Sequence, residues 1–569
     1  MKKNIIFLDK VGDYSLLHRI NRTSLIDTDL LLLASYLEKM DFNPIYNNFR
    51  DKNFSKSNLV NEFDELAPSA LVVNVTSDNI KQLERLGLFN DFQYISKILF
   101  ADGINLKNTR FIREGTLILK KTKDNNIENT FKEEIVPFLK KTNLVPESNG
   151  YTMINLKTSM VKWDIVQNIK KYTPEINIGW GCQRSCSFCA SSNTETGYRD
   201  LDIVFNEIQF LLDNSCHYFH IKNHNFTSNF SFMKAFCEGL IKNFANYDYT
   251  WSCFGLPEEL IKHDQALEIL ASANLGRIEL SIESGSTKMI DNYKIKSTNK
   301  IVKSVIEKAY KSGITSIAGN MIIGGPFEND TTITKSKKLM QDLISIAPGS
   351  IEFQFSFYDP DLNSDIYTEK HDLEIDTNSM KRGYRRINSI YRTSCFTCGE
   401  LEKIKKEMIK GNLSLMKESV LRMNQLARFK HIDFFYKGLC TQYYFFFLSK
   451  SSTAVLYKYK YKNNFVKFSW ECIEETDSWC PYLLGRILQY NDHTVIFIDP
   501  IYTSENQKPY IEIDPEFKEF LELANGKYTI AEIIENIQSN KNTKDINYYY
   551  HNLQELEEHD LLSFIKIFR

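Results

Sequence analysis

Cys182, Cys186 and Cys189 put three thiols within eight residues, in the run Gly179-Trp180-Gly181-Cys182-Gln183-Arg184-Ser185-Cys186-Ser187-Phe188-Cys189. On a loop preceded by glycine, with three and then two residues between them, all three sulfurs can converge on one inorganic centre. Iron–sulfur clusters are the soft centres that such thiolates select. A 4Fe-4S cluster has four irons, so three cysteines leave one open to a small molecule. The same residues also admit a zinc site with a distant fourth ligand or three unrelated core cysteines, and the density of thiols disfavours both.

The Cys-x3-Cys-x2-Cys pattern, with aromatic Phe188 just before the last cysteine, resembles the radical S-adenosylmethionine (SAM) enzymes. The resemblance implies that Cys182, Cys186 and Cys189 hold a 4Fe-4S cluster. SAM would then chelate the open iron through its amino and carboxylate groups, and an electron from the cluster would cleave it to a 5′-deoxyadenosyl radical. Phe188 would lie beside the cofactor.

Elements that could position such a loop follow it in order. Residues 201–213, 232–244, 258–273, 299–312 and 331–346 read as helices, and 217–221, 249–254, 277–282, 316–323 and 351–357 as strands. Six β/α units with a cofactor at the strand carboxyl ends make a partial (β/α)6 barrel over residues 151–380, the core expected of radical SAM enzymes. At the end of the fourth strand, Glu283 and Ser284 offer polar groups to sugar hydroxyls and Gly285 allows close backbone approach. The family places the ribose and methionyl part there. Ile323, Gly325 and Glu328 match the family's Ile-x-Gly-x-x-Glu pattern, which backs the adenine; taken alone, Gly324-Gly325-Pro326 is a turn. After the second strand relatives carry acidic residues, whereas this chain has Asn223, His224 and Asn225. Asn223 and Asn225 could accept from the SAM amino group that the resemblance implies there, and His224 reads as a surface or packing histidine. Tyr358-Asp359-Pro360-Asp361-Leu362-Asn363 departs from the family's usual Tyr-Pro-Gly-Thr and implies a re-shaped substrate mouth.

Residues 1–150 alternate β-rich runs (5–8, 70–76, 98–100) with helical patterns (29–40, 79–86), as in a Rossmann-like parallel sheet with crossover helices. A ligand would sit beyond the carboxyl ends of its strands. The order of elements resembles the cobalamin-binding domain that precedes the radical SAM domain in one large branch of the family. Only Gly103, Glu114 and Gly115 stand in for the glycine motifs of that branch, so cobalamin binding and a docking role without cobalamin both stay open. Lys121 to Asn126 is a polar loop.

Residues 381–484 form a C-terminal extension with helical stretches (400–410, 413–427), an aromatic run at 443–448, and Cys395, Cys398, Cys440, Cys472 and Cys480. Cys395 and Cys398, with Cys472 and Cys480, could hold an auxiliary iron–sulfur cluster, and Cys395 could donate a hydrogen atom to a substrate radical. Core packing is the alternative for each thiol. Residues 485–569 read as strands (493–498, 510–513, 562–567) and helices, with Gly526 as a stop and Thr529 and Glu532 spaced as a capping box; Leu553 and Leu556 face inward on the longest helix. This segment resembles the small winged-helix α+β domain known as the RiPP recognition element, in which a leader peptide adds a strand to the sheet edge. Glu532 and Glu535 on its second helix disfavour DNA binding.

Lys+Arg 70 against Asp+Glu 72 gives a net charge of −2, which argues against a nucleic-acid-binding surface. Met1 to Asp9 is too short an apolar start for a signal peptide, and no run approaches the ~18 residues that span a bilayer. With 11 cysteines including a metal-type group, a reducing cytoplasm is expected. The α/β chain therefore reads as an enzyme that modifies a ribosomal precursor peptide by C-methylation, epimerisation or crosslinking, with a flavodoxin or ferredoxin as electron donor. A small metabolite or lipid as substrate, or a non-catalytic peptide-binding scaffold, are the competing readings.

Overall fold

The computed structural model describes residues 2–9, 26, 28–48, 56–76, 80–88, 91–92, 94–102, 115–120, 130–145, 157–167, 169, 174–189, 191–216, 218–223, 226–247, 249–314, 316–358, 373–375, 389, 391–420, 479–483, 487–490, 493–497, 510–524, 528–538, 544–558 and 562–566. Gly103, Glu114, the 121–126 loop, His224, Asn225, residues 359–363, the 443–448 run, Cys440, Cys472 and Gly526 lie outside them. The chain divides into two compact units, Met1–Arg50 with Phe54–Ser419, and Asp51–Asn53 with Val420–Arg569.

The first unit opens with β1 (Lys3–Asp9), α1 (Thr28–Lys39), β2 (Phe42–Asn48), α2 (Lys56–Leu66), β3 (Ala70–Thr76), α3 (Ile80–Arg85), β4 (Ser96–Asp102), β5 (Thr116–Lys120) and α4 (Val136–Lys141). Its five strands pair in parallel in the order β2-β1-β3-β4-β5. Ile5 to Leu8 and Ala70 to Val73 are fully buried, as expected where helices cover both faces of a parallel sheet. α1 buries Thr28 and every residue from Leu30 to Leu37, which makes it a core helix rather than a surface one. Two edge strands were not legible beforehand. β2 carries Pro44, which cannot donate to a ladder, and an edge position is where that is tolerated.

A second sheet follows, built from β6 (Glu175–Asn177), α5 (Leu201–Asp213), β9 (Tyr218–Lys222), α6 (Phe230–Asn243), β10 (Thr250–Gly255), α7 (Pro257–Leu260), α8 (Ala266–Ser272), β11 (Leu275–Glu283), α9 (Thr287–Asn292), α10 (Asn299–Lys311), β12 (Ser316–Ile323), α11 (Asp330–Ile346) and β13 (Ile351–Phe357). The order is β13-β12-β11-β10-β9-β6, and every pairing is parallel. Between β6 and α5 a two-residue ladder joins β7 (Gly179–Trp180) to β8 (Gly197–Tyr198). The segment expected as one helix over 258–273 is two, α7 and α8. Residues 261–265 run Ile-Lys-His-Asp-Gln, with no apolar spacing to carry a helix through, and Asp264 turns out to pair with Lys308 at 2.7 Å. α10 keeps a regular apolar stripe, Val302, Val305, Ile306 and Ala309. Its Thr298 cap accepts from the Ile301 N–H. β14 (Leu373–Ile375), β15 (Tyr391–Thr393) and α12 (Cys398–Val420) complete the unit.

The second unit contains β16 (Trp479–Leu483) paired antiparallel with β20 (Leu562–Lys566), and the antiparallel sheet of β17 (Ile487–Tyr490), β18 (His493–Phe497) and β19 (Tyr510–Ile513). α13 (Pro515–Leu523), α14 (Ile530–Gln538) and α15 (Ile546–Glu558) pack on a core that includes Trp479, Phe520, Ile533, Tyr549, Leu553 and Leu556. The capping box forms as read: Thr529 N–H donates to Glu532 at 2.8 Å and Glu532 N–H to Thr529 at 3.2 Å. Among the described residues no helix is long and apolar enough to cross a membrane.

Candidate active site

The cysteine loop hangs from the β7–β8 stem. Gly181 adopts φ +75°, and a Cβ there would stand 1.8 Å from the Glu195 carbonyl, so only glycine fits this turn. Inside the loop, Cys182 N–H donates to Thr194 Oγ1 at 2.8 Å and Thr194 N–H returns to the Cys182 carbonyl at 2.9 Å. Ser192 Oγ donates to the Cys186 carbonyl at 2.6 Å. Ser187 ties the loop to the residues after α9, through its N–H to the Tyr293 carbonyl at 3.2 Å and its Oγ to the Asn292 carbonyl at 3.0 Å. Arg184 anchors it to α7 by ion pairs with Glu258 and, at 3.4 Å, Glu259. A buried pair supports the base of the loop: Arg199 meets Glu207 at 2.6 Å and donates to the Ser159 and Asn177 carbonyls.

Cys182 is buried, and Cys186 and Cys189 are half-buried. Burial pushes the Cys182 and Cys186 thiols up, the neighbouring thiolates push further in the same direction, and Arg184 pulls back. Three sulfurs that feel one another's charge are stabilised together only by a cation. Among the described residues no group of three or more His, Cys, Asp or Glu is arranged to hold a metal ion. Cys182, Cys186 and Cys189 share one loop, between the β7–β8 stem and the residues packed on it.

Beyond the loop, the carboxyl ends of the strands carry the other expected residues. Asn223 is buried at the end of β9, against the stem, since a Cβ on Gly179 would sit 2.7 Å from its amide. Glu283 closes β11 at a register shift, with φ +61°, a backbone conformation that costs about 1–3 kcal/mol and recurs at functional sites. Burial raises its carboxyl to about 8, with a Ser281 hydrogen bond pulling the other way. Ser284 and Gly285 pack against α11. The Ser284 hydroxyl meets Ser336 Oγ at 3.1 Å and receives the Ser286 N–H at 3.1 Å. Gly285 makes its close approach to α11, where a Cβ would lie 2.4 Å from the Lys335 carbonyl. These two residues lock the strand end onto the helix, which leaves Glu283 as the polar group of the strand end that is not committed to α11.

Glu328 organises the turn after β12. Its carboxylate accepts from the Gly324 N–H. Burial lifts it to about 7, against the pull of the Gly324 and Gly325 N–H groups. Gly325 leaves room for Tyr293, whose hydroxyl would lie 2.0 Å from a Cβ there. Ile323 is buried, and its carbonyl accepts from Tyr358 N–H at 2.8 Å. Phe188 meets Tyr293 edge-on at 5.5 Å between centroids, and Tyr293 stacks on Tyr358 at 5.8 Å. One aromatic cluster therefore joins the cysteine loop to α9 and to the ends of β12 and β13.

Sequence reading missed three groups here. The Tyr293, Tyr358 and Ser286 hydroxyls are buried without a partner among the described residues. A buried hydroxyl of this kind is one that a water, an ion or a ligand can answer. Lys405 on α12 lies 4.4 Å from the Phe357 ring centroid, and burial lowers it to about 8. A strand-period signal could have found the third group. β11, β12 and β13 alternate, so that Glu279, Ser281, Asn320, Gln354 and Ser356 are partly or fully exposed between buried neighbours. Register pairs Ser281 with Asn320 and Asn320 with Gln354, giving a polar row across one face. Below it Arg277 pairs with Glu352 at 2.6 Å and Glu279 at 3.3 Å, and His220 bonds Ser252 at 2.9 Å. Charges sealed in pairs form a floor, and single hydrogen-bonding groups line the space above.

Cys395 is exposed and Cys398 buried, so the pair faces two environments; Cys480 is buried in the second unit. An exposed thiol is poorly placed to serve a radical that must be kept from water.

Residues 176–340 match the family model described as Radical SAM superfamily. The chain carries a radical SAM domain and is a radical SAM enzyme, with a 4Fe-4S cluster and SAM as its cofactors. A comparison with curated protein sequences finds no match. Among solved structures the chain is similar to the cobalamin-dependent SAM radical enzyme OxsB with aqua-cobalamin and SAM bound, at TM-score 0.55 and 13% identity, over 81% of this chain and 75% of that one. A second is the radical SAM methyltransferase TsrM from Kitasatospora setae with cobalamin and a 4Fe-4S cluster bound, at TM-score 0.47 and 11% identity, over 63% of this chain and 72% of that one. At such identity the likeness is one of fold.

Proposed function

We propose that the chain is a cobalamin-dependent radical SAM enzyme that alters an unactivated carbon, with methylation as the favoured outcome. One contact carries the reading. Lys222, the last residue of β9, lies 3.6 Å from both Asp29 in the first turn of α1 and Glu175 of β6. α1 follows the carboxyl end of β1, beside the point where the order of the first sheet reverses, which is where open parallel sheets bind ligands. A group held there would look onto the strand ends that carry Asn223 and the cysteine loop. The donor set suits the cofactors: three thiols for the cluster, and orphaned Tyr293, Tyr358 and Ser286 hydroxyls beside Glu283 and Glu328 for a ligand with several acceptors. The bound cluster and SAM would supply the radical chemistry. The protein's share is to orient one C–H bond on the polar row and to exclude water with the aromatic cluster and α12.

Anaerobic reconstitution with iron, sulfide and hydroxocobalamin tests this. With dithionite as the electron source, the reconstituted chain is expected to carry cluster and corrinoid absorbance and to convert SAM to 5′-deoxyadenosine and S-adenosylhomocysteine; Cys182→Ala loses the cluster bands and both products. A chain that forms the cluster but leaves cobalamin in the flow-through would reduce the reading to cobalamin-free radical chemistry.

A second reading concerns the substrate. The second unit places a three-stranded antiparallel sheet, whose described edges are β17 and β19, beside capped helices. That arrangement suits capture of an extended leader peptide by strand addition. Titration of a labelled leader peptide onto the full chain checks it, and absence of saturable binding leaves a small metabolite as the substrate.

A further inference from the structure

Gln183, Arg184 and Ser185, which lie between Cys182 and Cys186, form part of the wall of an open cavity of about 670 Å3. Facing them are Lys262 and His263 after α7 and Lys294 and Lys296 after α9. The lining holds four lysine or arginine side chains against one carboxylate, Glu259, on a chain whose net charge is −2. Arg184 and Lys262 are partly answered by Glu258 and Glu259. Lys294, Lys296 and His263 are exposed on the rim. A small anion is ordinarily gripped by buried charge, whereas exposed cations around an open hollow steer a large charged partner.

Cleavage of SAM takes up one electron. The sulfonium carbon–sulfur bond breaks, methionine leaves as a thioether, and the electron has to reach the cysteine loop from outside the chain. We propose, on the footing that the chain cleaves SAM reductively, that this basic hollow is the docking face of an acidic one-electron carrier protein. A carrier seated here stands one loop away from the sulfurs of Cys182 and Cys186. No other route needs to be opened through the aromatic cluster or the polar interior.

The test measures 5′-deoxyadenosine formation by the reconstituted full chain, driven either by a reduced acidic flavodoxin or by dithionite. Lys294→Glu with Lys296→Glu should cut the flavodoxin-driven rate by about tenfold or more while the dithionite-driven rate stays put. The wild-type flavodoxin rate should fall as salt rises to about 0.3 M, where screening shortens the reach of the charges to a few ångströms. Retention of the flavodoxin rate in the double variant, or its indifference to salt, overturns the docking face. So does an equal loss with both reductants, which would mean that the lysines act on the loop and not on a partner. Failure of the radical reading itself looks different: no dithionite-driven product in the wild type.

Discussion

The two parallel sheets of the first unit are made alike and finished differently. In the first, Ile5 to Leu8 and Ala70 to Val73 are buried on both faces. In the second, Glu279, Ser281, Asn320, Gln354 and Ser356 of β11 to β13 are polar and open on one face, with Glu283 and Glu328 buried at the ends. A parallel sheet has no solvent face to spare, so a polar face in one marks an enclosed space built for something else. The first sheet is a support whose ligand, if bound, lies beyond its strand ends. The second is itself the wall of the site.

Glu207→Ala should strike hardest, because it leaves the Arg199 guanidinium buried and unpaired at the base of the cysteine loop. A loss of about 3–5 kcal/mol in chemical denaturation is expected, and a loss under about 1 kcal/mol would show that the loop does not depend on the pair. The contrast between the sheets is read by two further variants. Ile6→Ala, in the first core, should cost about 2–5 kcal/mol. Asn320→Ala, on the polar face, should cost less than about 1 kcal/mol yet slow product formation with the natural substrate. Equal stability losses would erase the distinction between support and wall.

Glu283→Gln addresses proton binding. A carboxyl raised from 4.5 to about 8 by burial stays protonated in the folded chain while the unfolded chain has released its proton. Stability therefore falls as pH rises from about 4.5 through 8, the unfolded state binding fewer protons across that window. Thermal melts at pH 5 and pH 8 should show a smaller drop for Glu283→Gln than for the wild type; identical drops would mean that the proton is not held there. Tyr293→Phe should have the smallest effect on stability and the most telling sign. Removal of an orphaned buried hydroxyl should stabilise the ligand-free chain by up to about 1 kcal/mol, while SAM binding, followed by equilibrium dialysis, weakens about tenfold. A hydroxyl that matters to neither is packing.

Much of this was legible in the residues. Periodicity located β12, β13 and α5 to the residue, and the thiol spacing located the loop, because both signals are local. β2 escaped because an edge strand tolerates Pro44 and its asparagines, and β5 because it is short. The contacts of Ser284 and Gly285 with α11 were not legible, since a polar strand end looks the same whichever neighbour it meets. Tyr293 and Tyr358 escaped for the same reason: an isolated tyrosine says nothing about whether its hydroxyl is answered.

By itself the order of residues determined the chemistry on offer, three thiols on a glycine-shaped loop and alternating strands to carry them, since loop geometry and strand period are set by neighbours along the chain. Only the tertiary structure decided which carboxyls are buried, which hydroxyls lack partners, that Lys222 meets Asp29 across two sheets, and that the outer wall of the loop is basic. Those properties depend on groups brought together from far apart in the chain, where desolvation and charge act through space.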